Sequence, residues 1–204
     1  EAMLPDLRAG TLVIDMSSTK QSEAREIQQI LAARQVAFLD APVSGGVVGA
    51  EAGTLAIMVG GQPADFRRAE PLFQVMGRPT LVGPTGSGQI AKLCNQLIVG
   101  GTVAIVAEAM LLAQAGGADP AAMRKAIRGG FAESRILELH GQRMLERNFK
   151  PGGQIKSQAK DHANIMAAAA DTGLELPLTE RVAELFNGLL EKHAEADQAA
   201  ALLA

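Results

Sequence analysis

Tryptophan and tyrosine are absent from this sequence of 204 residues, and phenylalanine occurs only six times. Those rings are the stacking platforms of single-strand nucleic-acid sites and of most sugar sites, so both classes are disfavoured. Charge of one sign is also lacking. Nineteen basic residues against 22 acidic ones leave a net charge of -3, without the basic excess that neutralises phosphates, so no nucleic-acid partner is expected. The one cysteine, Cys94, cannot form an internal disulfide, which fits a reducing cytoplasmic setting. His140, His162 and His193 stand far apart with no His-x-x-x-His or cysteine partner, so no metal site is expected. Long apolar runs are missing too. The longest nearly apolar stretch, Leu97 to Ala107, has 11 residues and contains Gly100, Gly101 and Thr102, whereas a membrane span needs roughly 20. No membrane partner is expected, and the opening residues show no basic segment followed by an apolar run, as a signal peptide would.

What is present is an ordinary globular composition, 48% apolar and 20% charged. A chain of this size can bury about 70% of its unfolded surface without disulfide or metal support. Glycine is in excess, at 22 residues, and ten of them fall between Gly45 and Gly88. That clustering points to a loop-rich functional region rather than a linker.

The first third alternates strand-like and helix-like segments. Thr11 to Asp15, Val36 to Leu39, Leu55 to Val59 and a short stretch around Thr80 to Val82 read as strands, with helices over about Ser22 to Arg34 and Ala64 to Met76. Strands separated by helices predict a mostly parallel α/β sheet. From Gly88 a helical pattern runs about 28 residues to Ala115, long enough to cross between two domains. Asp119-Pro120 opens the next helix and Gly129-Gly130 closes it. Further helices fit Glu133 to Arg147, Ile155 to Thr172 and Leu178 to His193. The expectation is an α/β segment over residues 1–85 and an all-α domain over residues 86–204, built on the long interdomain helix.

Three features could carry chemistry. Gly86-Ser87-Gly88-Gln89-Ile90-Ala91 matches the dinucleotide fingerprint G-x-G-x-x-G/A, but the second parallel strand with its terminal acidic residue is missing, because the helix simply continues past Glu108. It reads as a decoy, and as a P-loop it fails because Gln89-Ile90 stands where Lys and Ser/Thr are required. Asp40-Ala41-Pro42-Val43-Ser44-Gly45-Gly46 follows a strand directly. Adjacent glycine amides beside a serine hydroxyl can form a nest for a carboxylate, and equally a tight turn with no ligand. Lys92, Asn95 and Gln96 share one helix face by spacing. The lysine is either a snorkelling side chain or, if partly buried, a proton-transfer group with Asn95 beside it. Cys94, two positions from Lys92, points elsewhere and reads as core. Lys160-Asp161 by itself reads as solvated charge.

In order, Val13-Ile14-Asp15-Met16-Ser17-Ser18-Thr19, Asp40 to Gly46, Gly53-Thr54-Leu55 with Met58-Val59-Gly60-Gly61, Gly88-x-x-x-Lys92-x-x-Asn95-Gln96, and Lys160-Asp161 resemble the β-hydroxyacid dehydrogenase family over nearly the whole chain. The family includes 3-hydroxyisobutyrate dehydrogenases and 2-hydroxy-3-oxopropionate (tartronate semialdehyde) reductases. The resemblance implies the C-terminal part of a Rossmann-type domain followed by an all-α domain. It implies hydride transfer between NAD or NADP and a small 3-hydroxy acid or its semialdehyde. It further implies that Lys92 is the catalytic acid/base, that Ser44, Gly45, Gly46 and Asn95 bind substrate, and that Thr19 and Lys160 bind the cofactor. Association into homodimers or homotetramers through the helical domain is implied as well. An inactive carboxylate-binding or dimerising module of the same fold is the alternative. The 6-phosphogluconate dehydrogenases carry Lys-x-x-His-Asn where this chain has Lys92-x-x-Asn95-Gln96, which disfavours a sugar phosphate. His162 stands where leucine is usual, and Gly153 and Ser157 where an aromatic and an apolar residue are common. Relatives begin with a strand and a G-x-G-x-x-G loop that has no counterpart here, so the resemblance implies an N-terminally truncated, inactive fragment of a dehydrogenase.

Overall fold

The computed structural model describes residues 4–204. It divides into two compact units, Glu1–Asn95 and Gln96–Ala204, and the division falls within one long helix.

The first unit is built on five strands: β1 (Leu12–Asp15), β2 (Ala37–Asp40), β3 (Val43–Ser44), β4 (Leu55–Gly60) and β5 (Gly77–Gly83). Helix α1 (Gln21–Ala32) joins β1 to β2, the short α2 (Gly46–Glu51) joins β3 to β4, and α3 (Pro63–Met76) joins β4 to β5. The Lys20 amide donates to Glu23 Oε2 at 3.0 Å to fix the start of α1, while Pro63 supplies a preset φ at the start of α3.

The sheet is mixed, not mostly parallel. β1 runs parallel to β2 and β4 parallel to β5, but β4 runs antiparallel to both β2 and β3, with Asp40 opposite Gly60 and Val43 opposite Ile57. Connection length explains the difference. A parallel crossover needs a dozen or more residues, and the segment from Ser44 to Leu55, largely taken up by α2, is too short to return the chain to the starting edge. Side-chain alternation along β2 sends Phe38 and Leu39 into different clusters. Phe38 packs with Ala24, Leu31 and Val36, and Leu39 packs with Ile57, Val59, Ala69 and Phe73. Each fully buried large side chain contributes about 1.5–3 kcal/mol relative to exposure.

Helix α4 (Ser87–Ala115) carries the chain into the second unit, which adds α5 (Pro120–Ile127), α6 (Arg135–Leu145), α7 (Ile155–Thr172), α8 (Pro177–Gly188) and α9 (Leu190–His193). The Asp119 and Ser134 side chains accept from Ala121 and Leu137 amides and so start α5 and α6. Gly173, at φ +67°, ends α7 in a left-handed cap. The single helix expected over Leu178 to His193 is instead broken after Gly188, the weakest helix former in the run, and Leu189 at the break is buried. On α4, Val103, Val106, Ala107 and Met110 follow the i, i+3, i+4, i+7 pattern and enter a core with Met144, Ile155 and Phe186. The alanine-rich tail is not solvated: Ala199, Ala200 and Ala201 are buried in a 3-10 helix over Gln198–Leu203.

By length and composition α4 could cross a membrane, even though its longest apolar run is short. Apolar residues outside the core face account for this: Ile98, Ile105 and Leu112 are 64%, 66% and 74% exposed.

Candidate active site

Helix α4 starts against the carboxylate of Asp40, at the end of β2. Asp40 is fully buried and accepts from the Gly86 amide at 2.7 Å and the Gln89 amide at 2.9 Å. Burial pushes its pKa above the ordinary carboxylate value, and the amide hydrogen bonds offset only part of that. This explains the decoy fingerprint. The amides that a phosphate would need already donate to Asp40, and a Cβ on Gly88 would strike the Asp40 and Met58 carbonyls, so the glycine is required for the helix start to approach the two strands.

One turn further along α4, the Lys92 Nζ donates to the Val43 carbonyl at 3.0 Å. The segment Asp40 to Gly46 therefore holds α4 at two points, its first amides and its lysine. Val43 immediately precedes Ser44, Gly45 and Gly46. Gly45 has φ +139° and Gly46 has φ +62°, both in the region that glycine adopts without strain. At Gly45 a Cβ would also press on Leu55. Ser44 is half-buried and Gly46 exposed. Lys92 and the Ser44–Gly46 segment are thus brought together within the first unit, with Asn95, half-buried, one helical turn beyond Lys92. Cys94 is exposed, not core. Leu93 faces inward, and one residue along a helix turns the side chain about 100° away.

Thr19 lies beyond the end of β1 and is tied to the same helix. Its amide donates to Gln89 Oε1 at 3.0 Å, and Gln89 Nε2 donates to the Ser17 carbonyl at 2.9 Å. The Thr19 Oγ1 is buried without a hydrogen-bond partner among the described residues. An orphaned hydroxyl of this kind is costly in a finished core, and it fits a site that a polar ligand completes. The sequence alone did not single out Gln89. Its only sign there was a long polar side chain inside the small and apolar stretch from Gly86 to Ala91.

In the helical unit, Lys160 is exposed on α7 and pairs with Asp161 Oδ1 at 3.2 Å. Asp161 Oδ2 accepts from Gln96 Nε2 at 2.6 Å, and Gln158 Nε2 donates to the Gln96 carbonyl at 3.1 Å. So Lys160-Asp161 is not merely solvated charge, since its carboxylate is buried and holds α7 to α4. His162, in the position where leucine is usual, is buried and stacks on Phe186 at 5.4 Å. Burial lowers its pKa, which keeps the ring neutral, and Gly100 leaves the room for it. Among the described residues, no group of three or more His, Cys, Asp or Glu side chains is placed to hold a metal ion.

Residues 86–204 match the family described as "NAD-binding of NADP-dependent 3-hydroxyisobutyrate dehydrogenase". The chain belongs to the β-hydroxyacid dehydrogenase family. Residues 1–100 match the NAD-binding domain of 6-phosphogluconate dehydrogenase. The chain is 46% identical over 179 residues to the 2-hydroxy-3-oxopropionate reductase of Escherichia coli, covering 87% of this chain and 61% of that protein. It is 34% identical over 205 residues to the 3-hydroxyisobutyrate dehydrogenase of Pseudomonas aeruginosa, covering 97% of this chain and 67% of that protein. Among solved structures, the Mycobacterium tuberculosis 3-hydroxyisobutyrate dehydrogenase with L-serine superposes with a TM-score of 0.89 at 33% identity, covering 98% of this chain and 72% of that one. The architecture is accordingly the β-hydroxyacid dehydrogenase one, part of a Rossmann-type domain followed by a helical domain. The chain spans between 58% and 71% of the length of these curated relatives.

Proposed function

We propose that the protein carrying this chain transfers a hydride between NAD or NADP and a small 3-hydroxy acid or its semialdehyde, with 3-hydroxyisobutyrate and 2-hydroxy-3-oxopropionate as the model substrates. The observation that carries this reading is the Lys92 ammonium, seated 3.0 Å from the Val43 carbonyl beside the Ser44-Gly45-Gly46 segment. That proximity supports reading Lys92 as the acid/base group and the neighbouring backbone as a seat for a carboxylate.

In this reading the Ser44 hydroxyl and the Gly45 and Gly46 amides hold the substrate carboxylate. Lys92 takes the hydroxyl proton in the oxidation direction and returns it to the developing alkoxide in reduction. Asn95 orients the reacting carbon's substituents. The orphaned Thr19 hydroxyl and the exposed Lys160 amine contact the cofactor. When bound, NAD(P) supplies the hydride acceptor or donor at its nicotinamide ring. A cytoplasmic setting suits the single exposed thiol of Cys94.

The test is to monitor nicotinamide absorbance with the full-length protein. Oxidation of 3-hydroxyisobutyrate or reduction of 2-hydroxy-3-oxopropionate with NAD(H) or NADP(H) is the expected result. Failure of every small 3-hydroxy acid and semialdehyde with both cofactors overturns the reading.

The partner in this reading is a second copy of the protein, as a dimer or tetramer through the helical domain. Ile98, Ile105 and Leu112 recur every seven residues on α4 and are exposed in the single chain, a spacing that lines one side of a helix. Sedimentation of the full-length protein is expected to give a dimer or larger species, shifted toward monomer by Ile105→Glu. A wild-type monomer at micromolar concentration would refute this.

A further inference from the structure

Gln89 is fully buried, and both ends of its side-chain amide are used by one three-residue segment: Nε2 donates to the Ser17 carbonyl and Oε1 accepts from the Thr19 amide. The other end of that segment is held by Asp15, whose Oδ1 accepts from the Ser17 amide at 2.9 Å and from the Ser17 hydroxyl. Between these anchors the chain has little freedom. The Thr19 backbone is thereby held in place, while its buried hydroxyl has no partner among the described residues.

Gln89 is also fastened from behind, because its amide donates to the buried Asp40 carboxylate at 2.9 Å. Three residues later on the same helix, Lys92 holds Val43. The opening turns of α4 therefore connect two separate segments, one ending at Thr19 and one leading to Ser44. An apolar residue at 89 would keep the helix but release the first connection, leaving a part-buried carbonyl and amide without their partner.

We propose that Gln89 is a positioning residue for cofactor binding: its side-chain amide sets the Ser17–Thr19 segment so that the Thr19 hydroxyl meets the cofactor. The inference rests on the reading of Thr19 as a cofactor contact. Gln89→Met keeps the length of the side chain and removes both hydrogen bonds. Gln89→Glu keeps an acceptor for the Thr19 amide and loses the donor to Ser17.

Two measurements on the full-length protein decide it: titration of NADH and NADPH by the fluorescence of the reduced nicotinamide, and hydrogen exchange of the Thr19 amide without cofactor. For Gln89→Met the Thr19 amide should exchange faster. The cofactor Kd should rise about tenfold, with kcat at saturating cofactor and the KM for the hydroxy acid little changed. Gln89→Glu should keep Thr19 protected and lose less affinity. A Gln89→Met protein with wild-type Kd, or with unchanged Thr19 exchange, overturns the proposal. So does an equal fall in kcat and in affinity for both ligands, which marks general damage. Should Gln89→Met lose its helical circular dichroism, Gln89→Glu decides by the same titration, an unchanged Kd overturning the proposal. A wild-type protein that binds neither NADH nor NADPH would instead overturn the functional reading, and this inference with it.

Discussion

Lys92→Ala in the full-length protein is expected to lower kcat by about a hundred- to ten-thousand-fold, the usual worth of a positioned acid/base group, with cofactor affinity nearly unchanged. Alanine is the best helix former, so α4 keeps its shape, and the Asp40 and Gln89 anchors at its start do not involve the lysine side chain. What is lost is the amine beside Ser44. Lys92→Arg separates two roles of that amine. Arginine keeps a positive charge and a donor for the Val43 carbonyl, but it stays protonated at all working pH values and cannot accept a proton. If the lysine only attracts the substrate, the arginine protein retains most of its turnover; if it transfers the proton, the arginine protein is nearly as slow as the alanine one. Steady-state kinetics in both directions measures the difference. Turnover that persists undiminished in Lys92→Ala would remove the proton-transfer role. Lys92 and the Ser44–Gly46 segment would then serve substrate binding alone.

Most of the elements were legible because they rest on local periodicity, the short β3 and α2 being exceptions. The strands at Leu12–Asp15 and Leu55–Gly60 and the helices α3, α4 and α7 lie within a residue or two of where the apolar spacing and the caps put them. Strand direction was not, since it depends on whether the link from Ser44 to Leu55 is long enough to cross over, a property of three-dimensional reach and not of pattern. The same distinction governs the site. Lys92 could be singled out because a charge early in an apolar helix is conspicuous in one dimension, although its seat on Val43 involves a residue 49 positions away. Gln89 could not, because its meaning lies wholly in partners 70 and 72 positions away. Asp161 is hidden for a similar reason: next to Lys160 it looks like half of a solvated pair, and the Gln96 side chain that donates to it lies 65 positions away. Asp197 has no local signal beside alanines in sequence, yet its carboxylate meets His140, Arg143, Gly152, Gly153 and Ala199.

Asp197→Ala is expected to destabilise the helical unit by about 3–5 kcal/mol, the range for removing one partner of a buried charged pair. Asp197 is fully buried. One carboxylate oxygen faces His140 Nδ1 at 3.2 Å and accepts from the Ala199 amide at 3.0 Å. The other accepts from Arg143 at 3.0 Å and from the Gly152 and Gly153 amides, both at 3.2 Å. It thereby fixes α6, the turn before α7 and the C-terminal 3-10 helix to one another, and alanine would leave every one of those donors unpaired. In thermal unfolding a loss of this size lowers Tm by on the order of 10 °C for a chain of this length. Asn is the informative control, because it keeps the shape and one acceptor but not the charge; it should fall between wild type and alanine. The pH dependence has a definite sign. Burial alone would raise the Asp197 pKa, but the His140 hydrogen bond, the Ala199 amide and the charges of His140 and Arg143 outweigh it, so the folded value lies below the ordinary 3.8. The folded state then binds fewer protons than the unfolded one. The contribution of Asp197 is fully present well above pH 3.8 and is lost as pH falls through that value toward the depressed folded one. Denaturant titrations of wild type and Asp197→Ala should therefore differ most near neutral pH and converge in acid. A gap that stays constant into acid would show that the carboxylate acts through shape alone and not through its charge.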